Sequence, residues 1–180
     1  MLQVISLLLE NKSGALMRVT GLLAQRGYNI ESLTVARTLD PELSRMTIVV
    51  DVDAALRQQV VKQMSKLINV LQAVDLTDSP AVVRELALVR IRVSQASRAA
   101  VLKEAEIFGG RVVDSSTEGF AIEATGAPEK INEFIDVMRS YGEIDVTRSG
   151  ALAIALEAKK LKLQPPVPTG SGSKLEETVI

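Results

Sequence analysis

One order of elements occurs twice along these 180 residues, and it restricts the chain to few folds. In the first half, residues 2–9 are apolar except for Gln3 and Ser6, which reads as a strand covered on at least one face. Asn11-Lys12-Ser13-Gly14 then supplies a turn and a helix start. Leu16, Val19, Leu22 and Leu23 follow at helical spacing, and Gly27 sits where that helix ends. Residues 30–38 read as a second strand. Residues 45–52 read as a third, with Met46, Ile48, Val50 and Val52 on one face. Asp53 is placed to cap a second helix striped by Leu56, Val60, Met64 and Leu67. Residues 70–76 make a fourth strand. The order β-α-β-β-α-β is the split βαβ unit of ferredoxin-like folds.

After Asp78-Ser79-Pro80 the order begins again. Residues 84–93 read as a strand. Val101, Leu102, Ala105 and Phe108 form a helical stripe closed by Gly109-Gly110. Residues 111–114 and 120–124 read as two strands. Pro128 opens a helix whose inner stripe is Ile131, Phe134, Ile135 and Met138, and residues 144–146 make the last strand. The expected fold class is α+β: two ferredoxin-like βαββαβ domains, residues 1–78 and 82–158. Residues 151–156 add a short strand or helix. Lys159-Lys160-Leu161-Lys162 reads as a solvated basic run. Gln164-Pro165-Pro166-Val167-Pro168 and the Gly/Ser residues after it read as linker, so 159–180 is expected to be a flexible tail.

Composition removes whole classes of function. The chain has no His and no Cys, which excludes disulfides, thiol nucleophiles, Cys/His zinc sites and His acid–base catalysis. Asp51 with Asp53, and Asp40 with Glu42, read as solvated loop charge rather than metal ligands or acid–base pairs. No catalytic residue, metal site or cofactor is therefore expected in this chain. A net charge of −1 gives no reason to hold a polyanion, and three Phe, two Tyr and no Trp are too few rings for base stacking. No apolar stretch approaches the ~18 residues of a membrane span. The first residues carry no basic leader, so the cytoplasm is the expected compartment. Yet 47% of residues are apolar and the mean hydropathy is +0.19, so part of the surface is expected to be covered by a partner.

The strand-to-helix turn Asn11-Lys12-Ser13-Gly14-Ala15-Leu16 is the most informative segment. Free N–H groups at a helix start, with the helix dipole behind them, suit a carboxylate. Gly14 lets a ligand approach the backbone, and Asn11 offers both an amide donor and a carbonyl acceptor. Such a turn can hold a zwitterion; equally, it is an ordinary strand–helix connection. Asn29, in Tyr28-Asn29-Ile30, is most simply a turn residue. The matching turn of the second half, Val93-Ser94-Gln95-Ala96-Ser97, has neither Gly nor Asn.

From Leu8-Leu9-Glu10-Asn11-Lys12-Ser13-Gly14-Ala15-Leu16-Met17-Arg18-Val19 the chain resembles the opening of an ACT domain. Through Gln25-Arg26-Gly27-Tyr28-Asn29-Ile30-Glu31-Ser32-Leu33-Thr34-Val35-Ala36 and Leu43-Ser44-Arg45-Met46-Thr47-Ile48 it resembles the acetolactate synthase small-subunit family. Glu106-Ile107-Phe108-Gly109-Gly110 and Thr147-Arg148-Ser149-Gly150 extend the resemblance over about residues 1–160. The resemblance implies an N-terminal ACT domain and a non-catalytic subunit in branched-chain amino-acid biosynthesis. Its partner would be the thiamine-diphosphate-dependent catalytic subunit, whose activity it raises and renders sensitive to a branched-chain amino acid, commonly valine. It also implies a homodimer in which two ACT domains pair into one sheet with effector sites at their interface. Asn11, Gly14, Ala15 and Leu16 of one chain would then face Asn29 and Ile30 of the other. A free-standing amino-acid-sensing ACT protein is the alternative. A ferredoxin-like RNA-binding module would need aromatic residues on the third strand, and Arg45-Met46-Thr47-Ile48-Val49-Val50 has none.

Overall fold

The structure, a computed structural model, describes residues 1–156. The expected tail, 159–180, with its basic run and linker residues, lies outside the described residues. The chain runs β1 (Leu2–Glu10), α1 (Ala15–Gln25), β2 (Asn29–Arg37), β3 (Leu43–Asp51), α2 (Arg57–Met64) and β4 (Val70–Asp75). These strands form an antiparallel sheet in the order β2-β3-β1-β4. Ile5, Leu7 and Leu9 alternate onto one face of β1, and Met46, Ile48 and Val50 onto the same face of β3. Val19 and Leu23 of α1 and Val60 and Met64 of α2 close this core.

The second unit runs β5 (Ala81–Arg92), α3 (Arg98–Ile107), β6 (Arg111–Ser115), β7 (Gly119–Gly126), α4 (Pro128–Tyr141), β8 (Glu143–Arg148) and β9 (Leu152–Ala155). Its sheet has the order β6-β7-β5-β8. Val89, Ile91 and Ile122 pack against Val101, Ala105, Ile131, Phe134 and Met138. The Phe108 and Phe134 rings lie 5.6 Å apart in a tilted pair. The fold is the expected α+β pair of βαββαβ units.

Several details depart from the sequence reading. Asp53 has the extended backbone of a cap (φ −64°, ψ 142°), but its side chain makes no capping bond. A 3₁₀ turn, Ala54–Leu56, separates it from α2, which ends at Met64, so Leu56 and Leu67 lie on either side of that helix and outside it. Of the expected α3 stripe, Val101 and Ala105 are buried, whereas Leu102 turns outward. Strand β5 begins before residue 84 because Ala81 to Arg84 pair with β9, so the short element expected within residues 151–156 is a strand, Leu152–Ala155.

The segment after β8 also joins the two units. Thr34 donates its hydroxyl to the Ser149 carbonyl at 3.1 Å, and the Ala151 N–H donates to the Ser32 hydroxyl at 3.3 Å. The Ala153 N–H donates to the Thr47 hydroxyl at 3.3 Å. Ser6, Thr47 and Val49, on the face of the first sheet away from its helices, are thereby buried together with Ala151 and Ala153. Gly150 takes φ +78°, and a Cβ there would come within 3.1 Å of Thr34 Oγ1 and 3.2 Å of Ser32 Cβ. Gly150→Ala is therefore expected to cost about 1–2 kcal/mol from its backbone conformation alone. A urea titration would register this as a lower unfolding midpoint, and an unchanged midpoint would show that this contact carries no stability.

Candidate functional site

Turn residues 11–14 are held from the loop side first. The Asn11 N–H donates to the Glu42 carbonyl at 2.7 Å, and its side-chain amide donates to the Pro41 carbonyl at 2.9 Å. Asn11 Oδ1, the acceptor half of the same amide, has no donor among the described residues. The chain then folds back: Lys12 N–H donates to Glu10 O at 3.0 Å, and Ala15 N–H to Lys12 O at 3.1 Å. Gly14 is the N-cap of α1, at φ 82° and ψ −9°. A Cβ on Gly14 would meet nothing within 4 Å, so the left-handed backbone, not crowding within the chain, calls for glycine.

The first intrahelical bond is Arg18 N–H to Gly14 O at 3.0 Å. Among the described residues the N–H groups of Gly14, Leu16 and Met17 have no acceptor, whereas that of Ala15 is used within the turn. No acidic residue sits in the first turn of α1 to neutralise its dipole. Leu16 is 42% exposed and Met17 74% exposed beside these donors. One end of the sheet thus presents free N–H groups, an amide oxygen and exposed apolar side chains.

Asn29 and Ile30 lie at the other end. Asn29 is opposite Asp51, which is opposite Leu2, whereas Leu43 is opposite Glu10. Turn and Asn29 are therefore separated by the length of β1, roughly 25 Å at ~3.3 Å per residue. The Asn29 side-chain amide donates to the Glu31 carboxylate. A bulge follows between Ile30 and Ser32. Strand β2 pairs with β3 alone among the described residues, so its other edge is open. The fold brings Asn11, Gly14, Ala15 and Leu16 together and leaves Asn29 and Ile30 apart from them within one chain.

Three residues beside the turn, Glu10, Arg18 and Asn69, escaped the sequence reading. Asn69 is 8% exposed; its side-chain amide donates to Glu10 Oε2, and its Oδ1 accepts from Arg18 Nη1, both at 2.6 Å. Glu10 also accepts from the Lys12 ammonium at 2.9 Å. That bond first, then the bond from Asn69, holds the Glu10 carboxyl below the usual carboxylate range. The only signal of this cluster in the sequence is a polar residue between Ile68 and Val70 at a strand start.

A cleft of about 870 Å³ lies between the two sheets, lined in part by Ser32, Glu85, Asn132 and Arg148. Its Glu85 and Arg148 are already bound to each other. Among the described residues no three acidic side chains gather as metal ligands would, and no helix is long and apolar enough to cross a membrane.

Two family models match the chain. "AHAS small subunit-like ACT domain" matches residues 5–72 and "Small subunit of acetolactate synthase" matches 84–157. A probable acetolactate synthase small subunit of Archaeoglobus fulgidus is 44% identical over 160 residues, which is 89% of this chain and all of that protein. The chain belongs to the acetolactate synthase small-subunit family. The acetolactate synthase isozyme 3 small subunit of Escherichia coli is 43% identical over 86% of this chain and 96% of its own length. The crystal structure of the acetolactate synthase small subunit from Thermotoga maritima superposes with a TM-score of 0.77 at 34% identity, covering 86% of this chain and 97% of that one. The ACT match spans the turn, β2 and its open edge, so every candidate site residue falls in the ACT part of this small-subunit family member.

Proposed function

We propose that this chain is the regulatory subunit of an acetolactate synthase. It associates with the thiamine-diphosphate-dependent catalytic subunit, raises its activity, and lets a branched-chain amino acid, valine first, inhibit it. Membership along nearly the whole length of known small subunits is the observation that carries this reading. The effector's carboxylate lies against the free N–H groups at Gly14 and Leu16, and its ammonium against Asn11 Oδ1. Leu16 and Ile30 supply apolar surface for a branched side chain.

The separation of the site residues supports a homodimer. A two-fold pairing of open β2 edges runs the second copy antiparallel, which carries its Asn29 and Ile30 toward the turn of the first. The site is then incomplete without the second copy. An effector regulates only if it binds two arrangements of the dimer with different affinity, so its action falls on the pairing of the ACT domains and through it on the catalytic subunit.

The test is a mixing experiment. Alone, with thiamine diphosphate, Mg²⁺ and FAD, the chain should not condense pyruvate. Added to its catalytic subunit it should raise activity, and valine, leucine or isoleucine should then lower it. Turnover by the chain alone, or no activation over a wide range of ratios, would overturn the proposal.

A further inference from the structure

We propose that Asn69 is a positioning residue for the effector turn, holding the end of β1 and the start of α1 at the spacing the site needs. The inference rests on the effector reading above and assigns that site its geometry. Asn69 is buried immediately before β4 and reaches both ends of the turn. On the strand side its carbonyl accepts the Glu10 N–H at 2.9 Å, and its side-chain amide donates to Glu10 Oε2 at 2.6 Å. Glu10 is the residue immediately before Asn11. On the helix side its Oδ1 accepts from Arg18 Nη1 at 2.6 Å, and the Arg18 N–H closes the first helical bond onto Gly14. The free N–H groups of Gly14, Leu16 and Met17 lie between these two attachments.

The chemistry of the site calls for a primary amide. One neighbour is a carboxylate, which only accepts, and the other a guanidinium, which only donates. An Asn side chain offers a donor to the first and an acceptor to the second. It also stands between two opposite charges that would otherwise draw together and pull the helix start onto the strand. A carboxylate at residue 69 would keep the bond from Arg18 but repel Glu10. Exchanging Glu10 for glutamine at the same time reverses the polarity of that bond and restores it, because the new amide at residue 10 donates where Asn69 did.

The test compares the full chain with Asn69→Ala, with Asn69→Asp, and with the double variant Asn69→Asp plus Glu10→Gln. Valine binding by isothermal titration and the thermal midpoint are measured together. Binding is expected to weaken by about tenfold or more in both single variants, the order expected for losing a hydrogen bond to a charged group. The double variant should return to within about threefold of the parent. If affinity is unchanged while the midpoint falls, or the double variant binds no better than Asn69→Asp, Asn69 is merely structural and the proposal is overturned. If the parent itself binds neither valine, leucine nor isoleucine, the effector reading fails. The placement of the turn is then decided by trypsin cleavage after Lys12. Faster cleavage in Asn69→Ala and in Asn69→Asp, with the rate of Asn69→Asp reversed in the double variant, supports the brace, and equal rates overturn it.

Discussion

Gly14→Asp is expected to weaken valine binding by roughly 30-fold or more, equivalent to ~2 kcal/mol, while leaving the fold intact. The new carboxylate stands beside the N–H groups of Leu16 and Met17, which no other group among the described residues occupies. It satisfies the positive end of α1 from within, and it repels the ligand carboxylate that would sit there. The fold survives because a Cβ at residue 14 meets no atom within 4 Å, and because Asp is among the few residues that visit the left-handed region. Asn29→Ala should act in the same direction but more weakly, since it removes one polar side chain from the far half of the site. Isothermal titration beside an activation assay separates the outcomes. If Gly14→Asp binds valine as tightly as the parent, the turn is not the site. If it loses activation together with binding, the turn also serves docking.

Arg148→Ala is expected to destabilise the second unit by about 3 kcal/mol, toward the low end for leaving a buried carboxylate without its cation. Glu85 is 7% exposed in its side chain and depends on Arg148 for both its oxygens. Arg148 Nε donates to Oε1 at 2.6 Å and Nη2 to Oε2 at 2.7 Å, while Nη1 donates to Asn132 Oδ1 at 2.8 Å. The hydrogen bonds to Glu85 raise the guanidinium pKa still further above its ordinary value. Removing Arg148 leaves a carboxylate with little water and no cation. Glu85→Gln should cost less, because Arg148 is about one-third exposed and can be hydrated. Arg148→Lys should recover only part of the loss, since an ammonium cannot reproduce the two-pronged contact. The measurement is a guanidinium titration of each variant. A loss below ~1 kcal/mol for Arg148→Ala would place this pair with ordinary surface ion pairs. Ser149 to Ala151 follow directly and touch Ser32 and Thr34, so the same variant should loosen the contact between the units.

Much of the fold was legible because its signals are local. Met46, Ile48, Val50 and Val52 alternate and are all buried, as the helix-facing side of a strand requires. Ile131, Phe134, Ile135 and Met138 recur at helical spacing and are all buried on α4. Gly27 and Gly109 end their helices at φ 71° and 74°, where a residue with a side chain would be strained. Patterns of this kind depend on backbone period and on single-residue conformation, which neighbours along the chain determine. The turn at Asn11 to Leu16 was legible for the same reason, although the need for Gly14 came from its dihedral angles rather than from lack of space.

What depended on register or on distant partners could not be read that way. The early start of β5 follows from β9, far later in the chain, through the pairing of Ala81 with Ala155. Ser6 and Thr47 interrupt apolar strands because the segment around Ala151 and Ala153 covers their face, and Thr47 accepts a bond from it. Asn69 gains its meaning only where three elements converge on it. Most consequential is the distance between Asn11 and Asn29. The family resemblance implied that they belong to one site, and the residues themselves gave no sign of how far apart they lie. The pairings of β1 with β3 and of β3 with β2 put them at opposite ends of one sheet. Sequence alone determined most of the elements and most of their inward faces, because those obey short-range periodicity. Only the tertiary structure decided which ends meet, because strand order and register are set by packing between residues far apart in the chain.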